Sequence, residues 1–305
     1  MYDLNHKGTN SGLAGSRVLI QADLYPTYWA DLTLAYILYP EIRPSFHQEP
    51  EELLFNGEAE YRFADLDRCL LPTSSQCGNI GLYLRLYRVS FTVHLPFADL
   101  SAGSQAVYWA SARVINPTDV FVSNPFTFLE TEFRPGIDAF RIRVPFGSMN
   151  EVDAGYIAGE DFQFDKSALY CRTRLSVLDT DLSFPVILFR ENLLLGLDAA
   201  GSLGSAGVWA ETAWVVPDIA APSGGDSDRA YLNASAGTDY NFSNGLYGYV
   251  EYHFNSQGGR DPSRFLDIQT HTSYQEGGVH LLGRRYLSSG GCSGWAIVRK
   301  YPWEH

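Results

Sequence analysis

An all-β fold of antiparallel strands is what this 305-residue chain predicts. Three observations carry the expectation: apolar and polar residues alternate by twos in one segment after another, short and long connections alternate, and lysine is nearly absent. No segment keeps a helical period over eleven or more residues, and the spacing of turn signals corresponds to roughly 12–16 strands arranged as a sandwich or a barrel.

The clearest element is the stretch Leu232 to Phe254. Taking Ser243, Asn244 and Gly245 as its turn pairs Phe242 with Leu246, Tyr240 with Gly248, Thr238 with Val250, Ala236 with Tyr252 and Ala234 with Phe254. One face is then apolar, and the other carries Asn233, Ser235, Asp239, Asn241, Tyr247, Tyr249, Glu251 and His253. A slip by one residue would mix the two rows, which fixes the register. Glycine at the last turn position suits the left-handed residue of a three-residue hairpin.

The same alternation recurs upstream. Tyr87, Val89, Phe91, Val93 and Leu95 alternate with Arg88, Ser90, Thr92 and His94; Pro96 to Asp99 then turns into a strand that runs to about Ala110. Phe140, Ile142, Val144 and Phe146 alternate with Arg141 and Arg143, and Thr173, Leu175 and Val177 with Arg172, Arg174 and Ser176. Ala206 to Val216 opposes its apolar row to Gly207, Trp209 and Glu211.

Connections read short at 96 to 99, long at 111 to 136, short at 147 to 149, intermediate at 159 to 166 and short at 179 to 181. They continue very short near 191, short near 203, long at 217 to 228, short at 243 to 245 and long at 255 to 275. Such parity belongs to an antiparallel transmembrane β-barrel, with turns on one side of a membrane and loops on the other. Pro40 to Phe55 breaks it, being long where a short turn is due.

Of 22 basic residues only Lys7, Lys166 and Lys300 are lysines, whereas a solvated surface uses lysine freely. Either much of the outer surface does not face water, or the genome favours arginine. A net charge of -13 and pI near 4.9 exclude a nucleic-acid partner, which needs a basic face. No run of 18 apolar residues provides a helical span, a restriction that does not touch barrels.

The chain is expected to form one barrel domain over 1–305, with irregular tails at 1–15 and 290–305 and a barrel incomplete at its ends. Met1 to Ser16 lacks the apolar core of an export signal, so the chain is a mature or truncated form or is not exported. Cys69 and Cys77 bracket a short loop, and form a disulfide there or remain thiols.

Three blocks, Gln105-Ala-Val-Tyr-Trp109, Asn116-Pro-Thr-Asp119 and Arg134-Pro-Gly-Ile-Asp138, resemble a poorly characterised family of porin-like Gram-negative outer-membrane β-barrels. The Asp239 to Tyr247 hairpin and Leu281-Leu-Gly-Arg-Arg-Tyr286 extend the resemblance over about residues 82 to 289. It implies a transmembrane barrel in the outer membrane of a Gram-negative bacterium, with passage of solutes as its role and no catalytic residues. Such barrels usually end on a terminal aromatic strand; this sequence finishes Lys300-Tyr-Pro-Trp-Glu-His305.

Residues phased toward the interior of such a barrel are the expected pore lining: Arg88, Thr92, His94, Arg141, Arg143, Arg172, Arg174, Asp239, Tyr249, Glu251 and His253. Opposed basic and acidic walls would select solutes; the bland alternative is a plugged or narrow barrel whose charges pair. Asn116-Pro-Thr-Asp119 reads as a turn. No motif marks an enzyme, a cofactor or a metal site.

The function that follows is passage of small solutes, or service in an envelope transport system. The rivals are a soluble secreted carbohydrate-binding module and a barrel enzyme acting on lipid or peptide. Expected partners are outer-membrane lipid and small solutes, with a second copy or a periplasmic transport protein as further candidates.

Overall fold

In the computed structural model, residues 14–42, 61–62, 68–71, 80–121, 136–219, 230–256 and 292–300 are described. Their strands join a single 15-stranded sheet, a count within the expected range. In chain order these are β1 (Ala14–Gly15), β2 (Val18–Thr27), β3 (Ala30–Ile42), β4 (Arg68–Leu71) and β5 (Ile80–Leu95). They are followed by β6 (Ala98–Gln105), β7 (Ile137–Phe146), β8 (Asn150–Ile157), β9 (Ala168–Val177) and β10 (Thr180–Phe189). The last five are β11 (Asn192–Leu203), β12 (Ala206–Val216), β13 (Tyr231–Asn241), β14 (Leu246–Asn255) and β15 (Cys292–Lys300).

The main path runs β1, β3, then β5 through β15 in sequence order, with β2 also on β3 and β4 on β5. Every pairing is antiparallel. Among the described residues the path is open: no pairing joins its first strands to β15.

Register separates two faces. Asp31, Thr92, Ser101, Arg141, Gly155, Tyr170, Ile187, Leu194, Val215 and Tyr231 are successive ladder partners across ten strands. This is the inner face, on which buried side chains collect. The opposite, outer face exposes Phe91, Phe140, Ile142, Leu169, Phe184, Val186, Leu195, Leu197, Trp214, Val250 and Tyr252. A single sheet therefore turns its charged side chains and a buried apolar cluster inward and a broad exposed apolar side outward, the reverse of a water-soluble surface.

The β13–β14 hairpin has the register the alternation predicts: Ala234 opposes Phe254, Ala236 Tyr252, Thr238 Val250 and Tyr240 Gly248. Gly245 takes φ 77°. Its N–H donates to the Phe242 carbonyl at 3.0 Å, and the Phe242 N–H to the Leu246 carbonyl at 2.8 Å, closing the turn. The connection parity also holds. Pro96-Phe97, Gly147 to Met149, Leu178-Asp179 and Gly204-Ser205 link strands tightly on one side, and among the described residues Arg190-Glu191 is the single tight link on the other.

Three expectations need correction. The strand after Phe97 stops at Gln105, short of Ala110. Its continuation leaves the ladder because Val107 and Trp109 find apolar partners on the inner face. The tail 290–305 is not irregular throughout, since Cys292–Lys300 pairs along β14 with Trp295 opposite Glu251 and Ile297 opposite Tyr249. A long unpaired edge on β14 supplies the template, and the β-branched pair Ile297-Val298 suits it. Likewise Ala14–Gly15, within the amino-terminal tail, pairs with Glu41 and Ile42. The Cys69–Cys77 disulfide lies outside the described residues, as do His6, His47, His271, His280, His305 and the Leu281 to Tyr286 block.

Candidate functional site: an inner segment clamped to the sheet

The long connection after β6 does not simply stand off the sheet as an external loop. Its described part, Ala106 to Phe121, folds across the inner face and is largely buried there, with Val107, Trp109, Ala112, Thr118 and Phe121 almost inaccessible. Two carboxylates hold it. Glu211 on β12 is 0 % exposed, and its Oε1 accepts from the Thr118 N–H at 2.8 Å and the Thr118 hydroxyl at 2.7 Å, while Oε2 accepts from the Ala112 N–H at 3.2 Å.

Glu251 on β14, 1 % exposed, takes the next three amides. The Arg113 N–H reaches Oε2 at 2.6 Å, and those of Val114 and Ile115 reach Oε1 at 3.1 and 3.0 Å. The Trp209 indole N–H adds a fourth donor at 2.9 Å. Ser235 completes the seat by donating its hydroxyl to the Ile115 carbonyl at 2.7 Å, and the Ser111 side chain bonds Asp198. A buried carboxylate is tolerated where several N–H groups converge on it, and here the backbone of the segment provides them.

Apolar contacts fix the other end. Trp109 lies 5.7 Å from Phe121 and 5.0 Å from Tyr170, ring centroid to centroid, and Tyr61 packs edge-on to Phe121 at 5.9 Å. These join Ile137, Ile157, Ile187, Phe189, Leu194, Val215 and Tyr231 in one cluster. Glycines make room at the tightest points. A methyl group on Gly196 would stand 2.9 Å from Thr118 Cγ2, and one on Gly155 2.8 Å from Tyr170 Cε1. The wall is thus shaped to receive the segment.

Toward the short turns, the inner face becomes a lattice of opposite charges. Asp99, Arg143, Asp153 and Arg172 are consecutive ladder partners. Arg141 grips Asp153 through Nε at 2.8 Å and Nη2 at 2.6 Å, and Tyr170 donates its hydroxyl to the same carboxylate at 3.0 Å. Arg143 meets Asp99 at 3.5 Å, and His94 bridges Asp31 and Asp99 with both ring nitrogens at 2.7 Å. Arg174 pairs with Asp181 at 3.0 Å; Arg172 donates to the Ser183 hydroxyl at 2.7 Å and lies over Trp109. On the connection between β8 and β9, Lys166 bonds Glu160 and holds that carboxyl below its usual range.

All eleven residues expected along the interior lie on the inner face in ladder register, but the structure gives them different tasks. Arg141 and Glu251 are structural anchors. Asp239 receives Arg113 at 3.1 Å, the Tyr247 hydroxyl at 3.0 Å and the Gly207 N–H at 3.1 Å. His253 Nδ1 sits 3.0 Å from the Ser235 hydroxyl. Thr92 bonds Ser101 at 3.0 Å, the Tyr249 ring lies tilted beside Tyr247 at 6.2 Å, and Arg88 covers the Tyr87 ring at 5.0 Å.

Asn116 to Asp119 is a turn as predicted, the Asp119 N–H donating to the Asn116 carbonyl at 3.2 Å. Its further role, presenting Thr118 to Glu211, could not be read locally. Glu211, Asp153, Asp198, Ser235 and Trp209 are also absent from the predicted lining. Their inward phase was visible in the alternation, whereas their partners arrive from 12 to 120 residues away.

The Ser235–His253 contact has the composition of a hydrolytic dyad. The hydroxyl is 2 % exposed as part of a buried residue and donates to the Ile115 carbonyl, which leaves it in a structural role.

No family model matches the sequence, and no curated protein matches it. Solved structures that align with this chain include OccK8 (OprE) of Pseudomonas aeruginosa, at 9% identity and TM-score 0.45 over 80% of this chain. OccAB3 of Acinetobacter baumannii aligns at 9% identity and TM-score 0.46 over 79% of the chain. A BenF-like porin from Pseudomonas fluorescens Pf-5 aligns at 9% and 0.43 over 79%. The chain spans 62%, 59% and 60% of the lengths of these three proteins.

Proposed function

We propose that this chain is an outer-membrane β-barrel protein that passes small solutes, with the inner segment Ala106 to Phe121 setting the aperture. The observation that carries the reading is the inverted polarity of the sheet. Apolar side chains stand exposed in rows on the outer face, while Glu211, Glu251 and Asp153 are buried on the inner one. Lipid is the solvent that suits such an outer face, and an inner face of paired charges suits a water-filled or narrowed passage.

Because most inner charges are neutralised by neighbours, the passage is narrow and modestly selective rather than a strongly charged pore. The segment crosses toward β14 and returns, and its apolar cluster fills the inner face at the end of the long connections. Solutes pass beside it, along the lattice of Arg143, Arg172 and Arg174.

Export with a signal peptide, membrane fractionation and electrophoresis with and without boiling test the location. A heat-dependent shift in the membrane fraction is expected, and soluble recovery without a shift refutes it. Single-channel recording of the reconstituted chain tests passage: small, discrete conductance steps are expected, and a silent bilayer assigns the protein a structural role instead.

A further inference from the structure

The short turns share a chemistry that solvated turns avoid. Each carries a large apolar side chain at or beside its tip: Tyr28, Phe97, Met149, Leu178, Leu203 and Phe242 are all exposed, Leu178 at 94 % and Leu203 at 76 %. Charge is almost missing from these turns, with Asp179 the exception. Leu178 and Asp179 both take positive φ, 51° and 61°. A two-residue hairpin of that shape favours Asn, Asp or Gly, so leucine there is both strained and exposed.

Geometry places the ring. The ten-residue strands β9 and β10 rise about 34 Å, which at a barrel tilt of about 40° spans about 26 Å of membrane normal, the height of a barrel's apolar band. Their outward rows are uncharged up to the turn: Leu169, Cys171, Thr173, Leu175 and Val177 on one strand, Leu188, Val186, Phe184, Leu182 and Thr180 on the other. The apolar face thus continues without a break into the turn tips. The polar groups at these turns are Asp179 and the uncharged Ser148, Thr180, Ser205, Ser243 and Asn244, so a partner protein recognising this ring would find almost no charge to pair with.

We propose that the turn tips are inserted into the lipid interface, so that the sheet ends flush within one leaflet instead of projecting from it. This rests on the membrane reading above. Leu178→Trp and Leu203→Trp, on independent turns, test it in the full chain reconstituted in vesicles. A Val186→Trp chain serves as the mid-strand control, and the added emission is read as the difference from the parent chain. Lipids brominated near the glycerol end should quench both turn tryptophans several-fold more than aqueous iodide does.

If iodide quenches the turn positions and brominated lipid does not, while Val186→Trp responds to lipid, the ring faces water and the proposal falls with the membrane reading intact. If the control also ignores brominated lipid, the membrane reading itself fails. Should one turn variant not give the heat-dependent mobility of the parent, the other reads the same ring.

Discussion

Glu251 of β14 and Trp209 of β12 meet across Gly237 of β13, the indole N–H donating to the carboxylate at 2.9 Å over the one position between them in the ladder. The contact exists because the middle strand offers no side chain there. Its consequence is that the carboxylate which seats the inner segment is itself fixed by a ring lying flat on the neighbouring strand, with the Arg113 guanidinium 5.2 Å above that ring.

Gly237→Ala should therefore unseat the segment without touching it. A methyl group at 237 would lie 2.6 Å from Trp209 Cε2 and 2.7 Å from the Val250 carbonyl, so the ring or the strand must move. Overpacking of this kind costs about 1–3 kcal/mol. Denaturant unfolding of the folded protein in lipid or detergent should show that loss, together with changed tryptophan emission. Alanine at Gly204, where no atom lies within 4 Å, should leave the emission unchanged and show only the strain of its positive φ.

Removing the carboxylate is the direct test of the clamp. Glu251→Ala deprives Arg113, Val114, Ile115 and Trp209 of their acceptor together. Each buried N–H left unpaired costs about 1–3 kcal/mol, and the four act as a unit, so a loss of about 3 kcal/mol or more is expected. Hydrogen exchange at the three backbone amides should accelerate selectively. Protection equal to the parent would show that another group holds the segment.

The hairpin from Leu232 to Phe254 was legible in the sequence to the residue, because alternation with period two leaves one register that keeps Ala234 and Phe254 on the same face as Tyr240 and Gly248. Connection parity was legible for the same local reason. Trp109 and Thr118 were not. Their place depends on Tyr170, Glu211 and Gly196, which lie on β9, β12 and β11, and no short-range pattern announces a loop that turns inward. The role of Glu251 was misjudged for a related reason: its inward phase is plain, but alternation cannot say whether an inward carboxylate meets water or a backbone.

Arg141 and Asp153 offer a test of the charge lattice. Arg141→Met would leave a carboxylate that is 1 % exposed with the Tyr170 hydroxyl as its hydrogen-bond donor and Arg143 and Arg172 as its ladder neighbours, and breaking a buried pair on one side costs about 3–5 kcal/mol. Replacing the whole group, in R141M/D153L/Y170F, removes the orphaned carboxylate and hydroxyl, leaves Arg143 to Asp99 and Arg172 to the Ser183 hydroxyl, and should recover part of that loss in the same unfolding measurement. If the single and triple variants are equally unstable, the pair contributes through packing alone.

The outer face supplies the sharpest contrast between a membrane barrel and a soluble sheet. Leu197 lies at the middle of β11 on the exposed apolar row, and Leu195, two residues along the same face, is exposed beside it. In water, Leu197→Arg would be neutral or would improve solubility. In a bilayer, a charge at mid-depth on the lipid face costs roughly 2–4 kcal/mol. Folding yield into vesicles at a fixed denaturant concentration should therefore drop for Leu197→Arg. Leu203→Arg, on the same row but at the strand end, should lose about 0–1 kcal/mol, as interfacial positions do. The two positions share strand, face and chemistry and differ in depth, so equal losses would rule out a bilayer as the origin of the effect.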